Sequence, residues 1–525
     1  MISTPRPLTD IITVGLHLRR DLHENGMTMQ QYAHAVMAGS QPALGHDAFV
    51  YQFGATQEDL DTVCAWSEQQ GLQVDHAHSG MAVVNVRGTV AQFNSLFRIT
   101  LMQCNDGTHT WMQPQGTVII PRLIAQQIDQ VLGFDTSVAA SRSAVSVPLD
   151  TKHPDASSLY SGAVTPPQVA SGYGIPAGTG AGGVIGIFEL TYSGYVTGWS
   201  TSDVNSTFSR IGLSAPSITN VSVDGSTISK TTDAESMLDI YCAGAVSPAA
   251  KIVYYEAANS SAGVYNIINY AANDNVNSPE VLSISWGIGD NPTYDSALQA
   301  CVVKGITVVV STGDSGYLYN GSTSPYCLAA GGTNIGMSGN TRVGELGWTG
   351  SGGGISLSES LPSWQSGLFT TYVNAGVTGS PQALTMRGIP DISAPADPAT
   401  GYQIYVGGIL QQYGGTSASA PFIAGAIVRM NRLLGKRIGL TQSLWYGNPA
   451  AFNDITSGNN KNGGTTGYLN TVGWDAVTGL GSINGANFYG LYSVSSTGTI
   501  WPNPGYGTRP ASGTLYPRSS TYNNH

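Results

Sequence analysis

Histidine is missing from most of this 525-residue chain. Eight of the nine histidines lie in residues 1–153 and the ninth is the last residue, so none occurs between 154 and 524. A reaction located in that stretch must use another proton acceptor or receive an imidazole from the N-terminal part. The distribution therefore excludes a serine hydrolase that carries its own histidine base in the large domain.

Charged residues are also scarce, at 10% of the chain against about 25% in soluble domains. The formal net charge is −11, which argues against a nucleic-acid partner and against adhesion to anionic lipid. No run of 18 or more apolar residues occurs, so we expect no membrane span. Met1–Arg20 lacks the basic segment and apolar run of a signal peptide, and no export route is visible.

Cysteine is rare, with five residues at wide spacing and no CxxC pair. A zinc or redox motif is therefore not expected. We predict buried free thiols, with one disulfide as the alternative.

The N-terminal part, residues 1–135, alternates segments of strand-like and helix-like periodicity. Ile11–Arg19 alternates apolar and polar residues, as a half-buried strand does. Thr28–Met37, Thr56–Gln70 and Val90–Phe97 repeat apolar residues at helical spacing, and Thr56 followed by acids marks a helix start. We predict a compact α+β unit with an antiparallel sheet of ferredoxin-like type.

Residues 136–158 are small and polar and predict a linker open to proteolysis. The large domain, 159–493, contains apolar runs separated by helix-compatible segments, which predicts an α/β fold with a parallel sheet covered on both faces. These runs are Gly183–Phe188, Lys251–Tyr255, Val281–Ile284 and Ile306–Val310. Residues 494–525 are rich in Ser, Thr, Gly, Pro and Tyr and predict a disordered tail.

Two serines stand in glycine-rich turns. Ser417 lies in Gly414–Pro421 (GGTSASAP), directly before an apolar stretch, so backbone N–H groups at a helix start could face a developing oxyanion. Ser315 lies in Gly313–Gly316 (GDSG), which is typical of β-barrel proteases that need histidine. Because histidine is absent here, we interpret Ser315 as a chance match.

Without histidine, a serine nucleophile needs a carboxylate or lysine as its base. Glu235 and Asp239 are four residues apart in a helix-compatible segment, so they share one helix face. Two neighbouring carboxylates repel each other unless one is protonated or both serve a site. Spacing alone leaves open a pair of acids on a solvated face, although the apolar neighbours disfavour that alternative.

These residues resemble the sedolisin family of serine-carboxyl peptidases, and the resemblance extends to about residue 493. Each motif is weak alone, but their order and separations together are specific. The matching pieces are Glu235-x-x-x-Asp239, Ser283–Gly287 (SISWG), Gly313–Gly316 and Gly414–Pro421.

The resemblance implies a subtilisin-like fold in which glutamate replaces histidine. It makes Ser417 the nucleophile, Glu235 its general base, Asp239 the residue that orients Glu235, and Asp314 the oxyanion donor. Glu189 and Trp286 match supporting positions of the carboxylate network, the alternative for each being a buried residue at a strand end.

These roles imply acid activity. A protonated Asp314 carboxyl can donate to an oxyanion, whereas an ionised one would repel it. Glu235 must be ionised for part of the time, and reference carboxyl pKa values then suggest about pH 3 to 5.

The resemblance also implies one structural calcium ion. Calcium prefers carboxylate and carbonyl oxygens. Asp454 and Asp475 would supply side chains, and Ile455, Thr471 and Gly473 would supply carbonyls. The family usually has glycine where Thr471 stands, and the alternative is two aspartates in ordinary turns.

Residues 1–135 resemble the family's prodomain, which would assist folding and block the substrate cleft until the linker is cut. The expected protein is a monomeric, extracellular endopeptidase made as a self-processing zymogen, with polypeptide substrates and its own prodomain as partners. A catalytically silent surface- or carbohydrate-binding protein on the same fold is the alternative. We also hypothesise that histidines of the prodomain loosen it from the acidic large domain on protonation, provided that some of them are buried.

Overall fold

The computed structural model describes residues 2–20, 26–142, 145–147, 159–191, 197–226, 229 and 231–493, with the backbone alone at 145–147. Most of the predicted linker 136–158 and the whole predicted tail 494–525 lie outside the described residues. In the described part of the chain, no helix is both long enough and apolar enough to cross a membrane. All five cysteines are free thiols, and four of them are buried, so the disulfide alternative is wrong.

The N-terminal domain is built on a four-stranded antiparallel sheet. Its spatial order is Gln73–His78, Val83–Thr89, Ile11–Leu18 and Ile128–Leu132. Together with the connecting helices Gln57–Gln69 and Val90–Phe97, this order is the ferredoxin-like arrangement that the sequence predicts. A second antiparallel sheet, which the sequence did not reveal, contains Ile2–Pro5, Thr100–Asn105 and Thr110–Gln115.

Threonine caps define the starts of the predicted helices in this domain. The side chains of Thr28, Thr56 and Thr89 each accept the backbone N–H three residues later, which satisfies a donor that has no partner within the helix. Thr28 starts the helix Met29–Met37. The helix His46–Phe53 follows Gly45 without a side-chain cap, and the sequence did not predict it.

The large domain contains an eight-stranded sheet in which all neighbouring strands are parallel except one terminal hairpin. Its central strands are buried, as predicted for a sheet covered on both faces. The spatial order is Ile218–Ser222, Lys251–Ala258, Val184–Thr191, Val281–Ile284, Thr307–Ser311, Leu328–Ser338 and Thr341–Gly347, with Ile392–Pro395 beside Leu328–Ser338.

Two helix layers cover this sheet. The helices Ala234–Val246 and Thr416–Leu434 pack against each other, and so do Ser261–Asn273 and Asp295–Val303. Met29–Met37 of the N-terminal domain packs on Asp295–Val303, so the two domains share a hydrophobic core at that position. The sheet thereby brings the first turns of Ala234–Val246 and Thr416–Leu434 to one edge.

The remaining elements are short and complete the loops and the rim of the large domain. The helices are Pro166–Gly172, Thr201–Ser209, Gln442–Tyr446 and Gly485–Ser493, with 3₁₀ turns at Pro292–Tyr294, Ser363–Gln365, Pro398–Thr400 and Pro449–Ala451. The strands are Ser141–Arg142, Val145–Val147, Trp286–Gly287, Gly354–Ser360, Phe369–Thr370, Tyr372–Asn374, Val377–Thr378, Gln382–Ala383, Met386–Ile389, Tyr402–Val406, Ile409–Gly414, Phe452–Asn453, Gly467–Tyr468 and Ser482–Ile483.

Candidate active site

Glu235 and Asp239 lie on the helix Ala234–Val246, one turn apart and both buried. The helix starts at Asp233, whose carboxyl accepts the backbone N–H groups of Glu235 at 2.9 Å and Ser236 at 3.2 Å. Burial raises the pKa of Asp239, and the nearby Glu235 carboxyl raises it further. The solvated-face alternative is therefore wrong, because these acids share a buried environment.

Ser417 lies in the first turn of the helix Thr416–Leu434 and is fully buried. Gly415 precedes this helix with φ of 112°, a backbone conformation that favours glycine. The Ser417 hydroxyl donates to the Ser285 carbonyl at 3.2 Å. Because the Ser285 hydroxyl donates to Oδ1 of Asp239 at 2.7 Å, one residue connects the serine with the carboxyl pair.

Asp314 follows the strand Thr307–Ser311 and faces the same helix start. Its Oδ1 accepts both the backbone N–H and the hydroxyl of Thr416, each at 2.8 Å. Its Oδ2 is buried and has no hydrogen-bond partner among the residues that the structure describes. Burial raises the pKa of this carboxyl to about 8, so it is neutral in acid and can act as a hydrogen-bond donor.

Glu189 and Trp286 are joined directly, as Nε1 of Trp286 donates to Oε2 of Glu189 at 3.0 Å. Both side chains are fully buried. Burial raises the pKa of Glu189 well above its usual value, and the Asp233 carboxyl acts in the same direction. The Glu235 carboxyl also contributes to the raised pKa of Glu189.

No role was predicted from the sequence for Ser285, Thr416 or Asp233. Ser285 lies inside the quoted motif SISWG, and Thr416 directly precedes the nucleophile candidate. Asp233 had a recognisable signal, since an aspartate just before a helical segment is a preferred N-cap. In contrast, Ser315 is exposed and takes no part in these contacts.

Two short strands from the predicted linker flank the candidate nucleophile. Ser141–Arg142 pairs antiparallel with Trp286–Gly287. Val145–Val147 pairs antiparallel with residues 412–414, at the end of the strand Ile409–Gly414. The chain therefore lies in strand pairing on both sides of Ser417, as an extended peptide would in a protease cleft.

The five predicted calcium ligands lie in one loop cluster. The N–H of Gly473 donates to Oδ2 of Asp454 at 2.9 Å, and the N–H of Thr471 donates to Oδ2 of Asp475 at 3.0 Å. The Ile455 carbonyl and the Asp475 carboxyl both accept from the Asn470 side-chain amide, the former at 3.0 Å. Asp475 is fully buried, and no Lys, Arg or His in the described residues forms an ion pair with it.

Two family models match this chain. The model described as "Pro-kumamolisin, activation domain" matches residues 10–137, and the model described as "Subtilase family" matches residues 226–474. The first match coincides with the ferredoxin-like domain, and the second includes Glu235, Asp314 and Ser417. The N-terminal domain is therefore an activation domain.

Curated relatives agree with these matches. The chain is 33% identical over 507 residues to kumamolisin of Bacillus sp. (strain MN-32), covering 90% of each chain. It is 34% identical over 267 residues to sedolisin of Pseudomonas sp. (strain 101), covering 44% of this chain and 43% of that protein.

Among solved structures, the fold resembles Pseudomonas sedolisin, a serine-carboxyl proteinase complexed with two molecules of pseudo-iodotyrostatin. The TM-score is 0.53 at 26% identity, over 63% of this chain and 98% of the sedolisin chain. This chain belongs to the sedolisin family of serine-carboxyl peptidases and is a serine-type peptidase with an N-terminal pro-kumamolisin activation domain.

Proposed function

We propose that this chain is the self-processing zymogen of an acid-acting endopeptidase in which Ser417 is the nucleophile and Glu235 is its base. The observation that carries the proposal is the contact of Ser417, through Ser285, with the buried pair Glu235 and Asp239. This contact lies in a stretch of sequence without histidine. The Glu–Asp pair on one helix face therefore takes the place of the usual imidazole.

In the first chemical step, the Ser417 oxygen forms a bond to the peptide carbonyl carbon and its proton passes to Glu235. Asp239 keeps Glu235 oriented, while the Ser285 hydroxyl holds Asp239. Glu235 then gives the proton to the leaving amine as the carbon–nitrogen bond breaks, which leaves an acyl group on Ser417. Water attacks this ester by the reverse sequence.

Asp314 stabilises the tetrahedral oxyanion in this scheme. Thr416 occupies its Oδ1 with two donors, so Oδ2 remains to carry the proton that is donated to the oxyanion. A donor fixed in a buried site is worth about 10² to 10³ in rate. Since the pKa of Asp314 is raised to about 8, this donor is present well above the pH 3 to 5 range suggested by reference pKa values.

The strand pairings on both sides of Ser417 support self-processing. Arg142 stands opposite Trp286 and Val145 stands opposite Gly414. A chain bound in these two registers presents the peptide bonds between Arg142 and Val145 to Ser417. We therefore expect the first cut there, within the linker 136–158.

The test is a shift of the purified full chain from pH 7 to pH 4, followed by mass spectrometry of the fragments. The proposal predicts a first cut between Arg142 and Val145 whose rate constant does not depend on protein concentration, and no cut in Ser417→Ala. An intact wild-type chain that also cleaves no denatured protein would instead favour the silent binding protein.

We also propose that Asp454, Ile455, Thr471, Gly473 and Asp475 bind one structural calcium ion. The donor set consists of hard oxygens, and the buried Asp475 carboxyl has no cationic side chain against it in the described residues. A bound cation would neutralise that buried charge and fix the loop. Its role here is stability rather than chemistry, because the cluster contributes no residue to the reaction described above.

The calcium proposal is tested by the unfolding temperature of Ser417→Ala zymogen in calcium and in EGTA. Calcium should raise the unfolding temperature in a concentration-dependent manner, and Asp475→Asn should abolish this increase. Asp61→Asn, an exposed helix carboxylate, is the matched control and should retain the increase. An equal response in both variants would refute the site.

We further propose that the enzyme works as a monomer outside the cell, where its carboxyl chemistry and sparse charge suit an acid medium. Detection of the processed form in culture medium, and a monomeric mass in sedimentation, would test these two points.

A further inference from the structure

Arg142 of the linker occupies a preformed pocket beside the catalytic centre. Its Nη1 donates to Oδ1 of Asp233 at 3.2 Å, and its guanidinium lies 4.9 Å from the centroid of the Trp286 ring. The Arg142 and Asp233 side chains are only 15% and 12% exposed. A planar guanidinium between a carboxyl and an indole face is a favourable combination of ion pairing and cation–π contact.

The register identifies which substrate position this pocket receives. Arg142 stands opposite Trp286 in an antiparallel pairing, so the next residue of any peptide bound in this way stands opposite Ser285. The Ser285 carbonyl accepts the Ser417 hydroxyl, which places the attacked carbonyl at that next residue. The pocket beside Trp286 therefore receives the P2 residue, the second residue before the cleaved bond.

The pocket belongs to the large domain and does not depend on the linker for its shape. Oδ2 of Asp233 accepts the N–H of Gly198 at 2.7 Å and the hydroxyl of Ser236 at 2.8 Å. The Trp286 ring is held through Nε1 by Glu189 at 3.0 Å. The carboxyl and the indole face thus remain in place when the linker leaves.

The surroundings of the pocket favour positive charge. Glu189 lies behind Trp286, and Arg142 opposes the increase in the pKa of Glu189 that burial causes. Asp233 accepts from the guanidinium directly, so two acids, Glu189 and Asp233, lie at the pocket. An acidic P2 side chain would add like charge here, and an apolar one would leave Asp233 without a cationic partner.

We propose that Asp233 and Trp286 form a P2 subsite that selects substrates with arginine, and less strongly lysine, at the second position before the cleaved bond. This inference rests on the proposed endopeptidase function. Arginine is preferred over lysine at this position because its flat guanidinium can lie on the Trp286 indole ring while it donates to the Asp233 carboxyl. In the zymogen, Arg142 occupies the subsite in the same way as a substrate residue.

The test uses mature enzyme and four peptides that differ only at P2, with Arg, Lys, Gln or Glu. The wild type should show kcat/KM in the order Arg, Lys, Gln, Glu, with Arg exceeding Gln about tenfold or more. Asp233→Asn should reduce the Arg-to-Gln ratio severalfold. Asparagine can still cap the helix through its carbonyl oxygen, and the ratio is taken within each variant, so a general loss of turnover cancels.

The outcomes separate this proposal from the proposed function. If no peptide is cleaved at any pH, the endopeptidase function fails. If all four are cleaved at similar rates, or if Asp233→Asn keeps the wild-type ratio, the enzyme stands and the subsite proposal is wrong. A second experiment measures linker cleavage in Arg142→Gln and Arg142→Glu zymogens. Arg142→Gln should cleave its linker more slowly than wild type, and Arg142→Glu more slowly still. Equal rates in the three zymogens would overturn the proposal.

Discussion

The Ser285 hydroxyl donates a 2.7 Å hydrogen bond to Oδ1 of Asp239. The carbonyl of the same residue accepts the hydroxyl of Ser417, so Ser285 contacts both the carboxyl pair and the proposed nucleophile. The family motif SISWG therefore contributes to the site with its central serine as well as with Trp286.

Ser285→Ala should lower the rate of linker cleavage about tenfold or more, because Asp239 loses a buried hydrogen-bond donor. The carbonyl contact with Ser417 involves the backbone and should persist. Ser283→Ala is the matched control, since Ser283 is buried in the same motif and its hydroxyl has no partner in the described part of the chain. The expectation is contradicted if the two alanine variants cleave the linker equally fast.

Asp314→Ala should reduce kcat/KM by about 10² to 10³, whereas Asp314→Asn should retain much more activity because an amide N–H can donate to the oxyanion. The pKa of Asp314 is raised to about 8 by burial. The wild-type donor is therefore present below that pH and is lost as the pH rises through it. The asparagine variant should lack this alkaline decline, and a decline near pH 8 that is identical in both enzymes would contradict the assignment.

Three histidines of the prodomain, residues 1–135, touch the large domain. The ring of His17 packs on the ring of Tyr265. Nε2 of His34 shares a 3.0 Å hydrogen bond with the Tyr326 hydroxyl. Nδ1 of His46 lies 3.2 Å from Nζ of Lys304. A fourth histidine, His78, lies within the prodomain near His46, and burial lowers its pKa to about 4, with His76, His46 and Arg20 acting in the same direction.

Burial lowers the pKa of each of these histidines. The pKa of His17 falls to about 3, and Arg20 adds to that effect; the pKa of His34 is also lowered. Lys304 lowers the pKa of His46 further, while Asp47 opposes it. These neutral histidines stabilise the interface above about pH 6.5, and this stability is lost as the pH falls towards 4 and 3.

Prodomain release should therefore be driven by acid, even though Asp314 stays protonated at neutral pH. In Ser417→Ala zymogen, interface opening measured by hydrogen exchange should have its midpoint between about pH 6.5 and 3. Replacing His34, His46 and His78 by glutamine should move that midpoint to lower pH. His109 lies in the same domain and its side chain is 35% exposed, so His109→Gln is the control and should leave the midpoint unchanged. An unchanged midpoint in the triple variant would reject the hypothesis.

Much of the fold could be predicted because local signals agree with the tertiary structure. Thr28 and Thr56 mark the true starts of two helices, and Val281–Ile284 is predicted to the residue. Other strands begin or end up to three residues away, as with Gly183–Phe188, which is Val184–Thr191 in the structure, because pairing with neighbours sets strand length.

Other features depend on contacts between residues far apart in the chain. The hairpin formed by Thr100–Asn105 and Thr110–Gln115 lacks a strong alternating pattern, and the sequence did not identify it. The pairing of Ser141–Arg142 with Trp286–Gly287 joins segments about 145 positions apart and carries no local signal. For the same reason the bridging role of Ser285 and the contact of Arg142 with Asp233 required the structure.

In the proposed mechanism a carboxyl group, Glu235, takes the proton from Ser417. This transfer is tested by the first-order rate constant of linker cleavage at pH 4 in Glu235→Gln zymogen, compared with wild type and with Ser417→Ala. We expect a loss of at least about 10³-fold in Glu235→Gln, close to the loss in Ser417→Ala, since a nucleophile and its base act as a unit. A Glu235→Gln zymogen that cleaves its linker within about tenfold of the wild-type rate would contradict it.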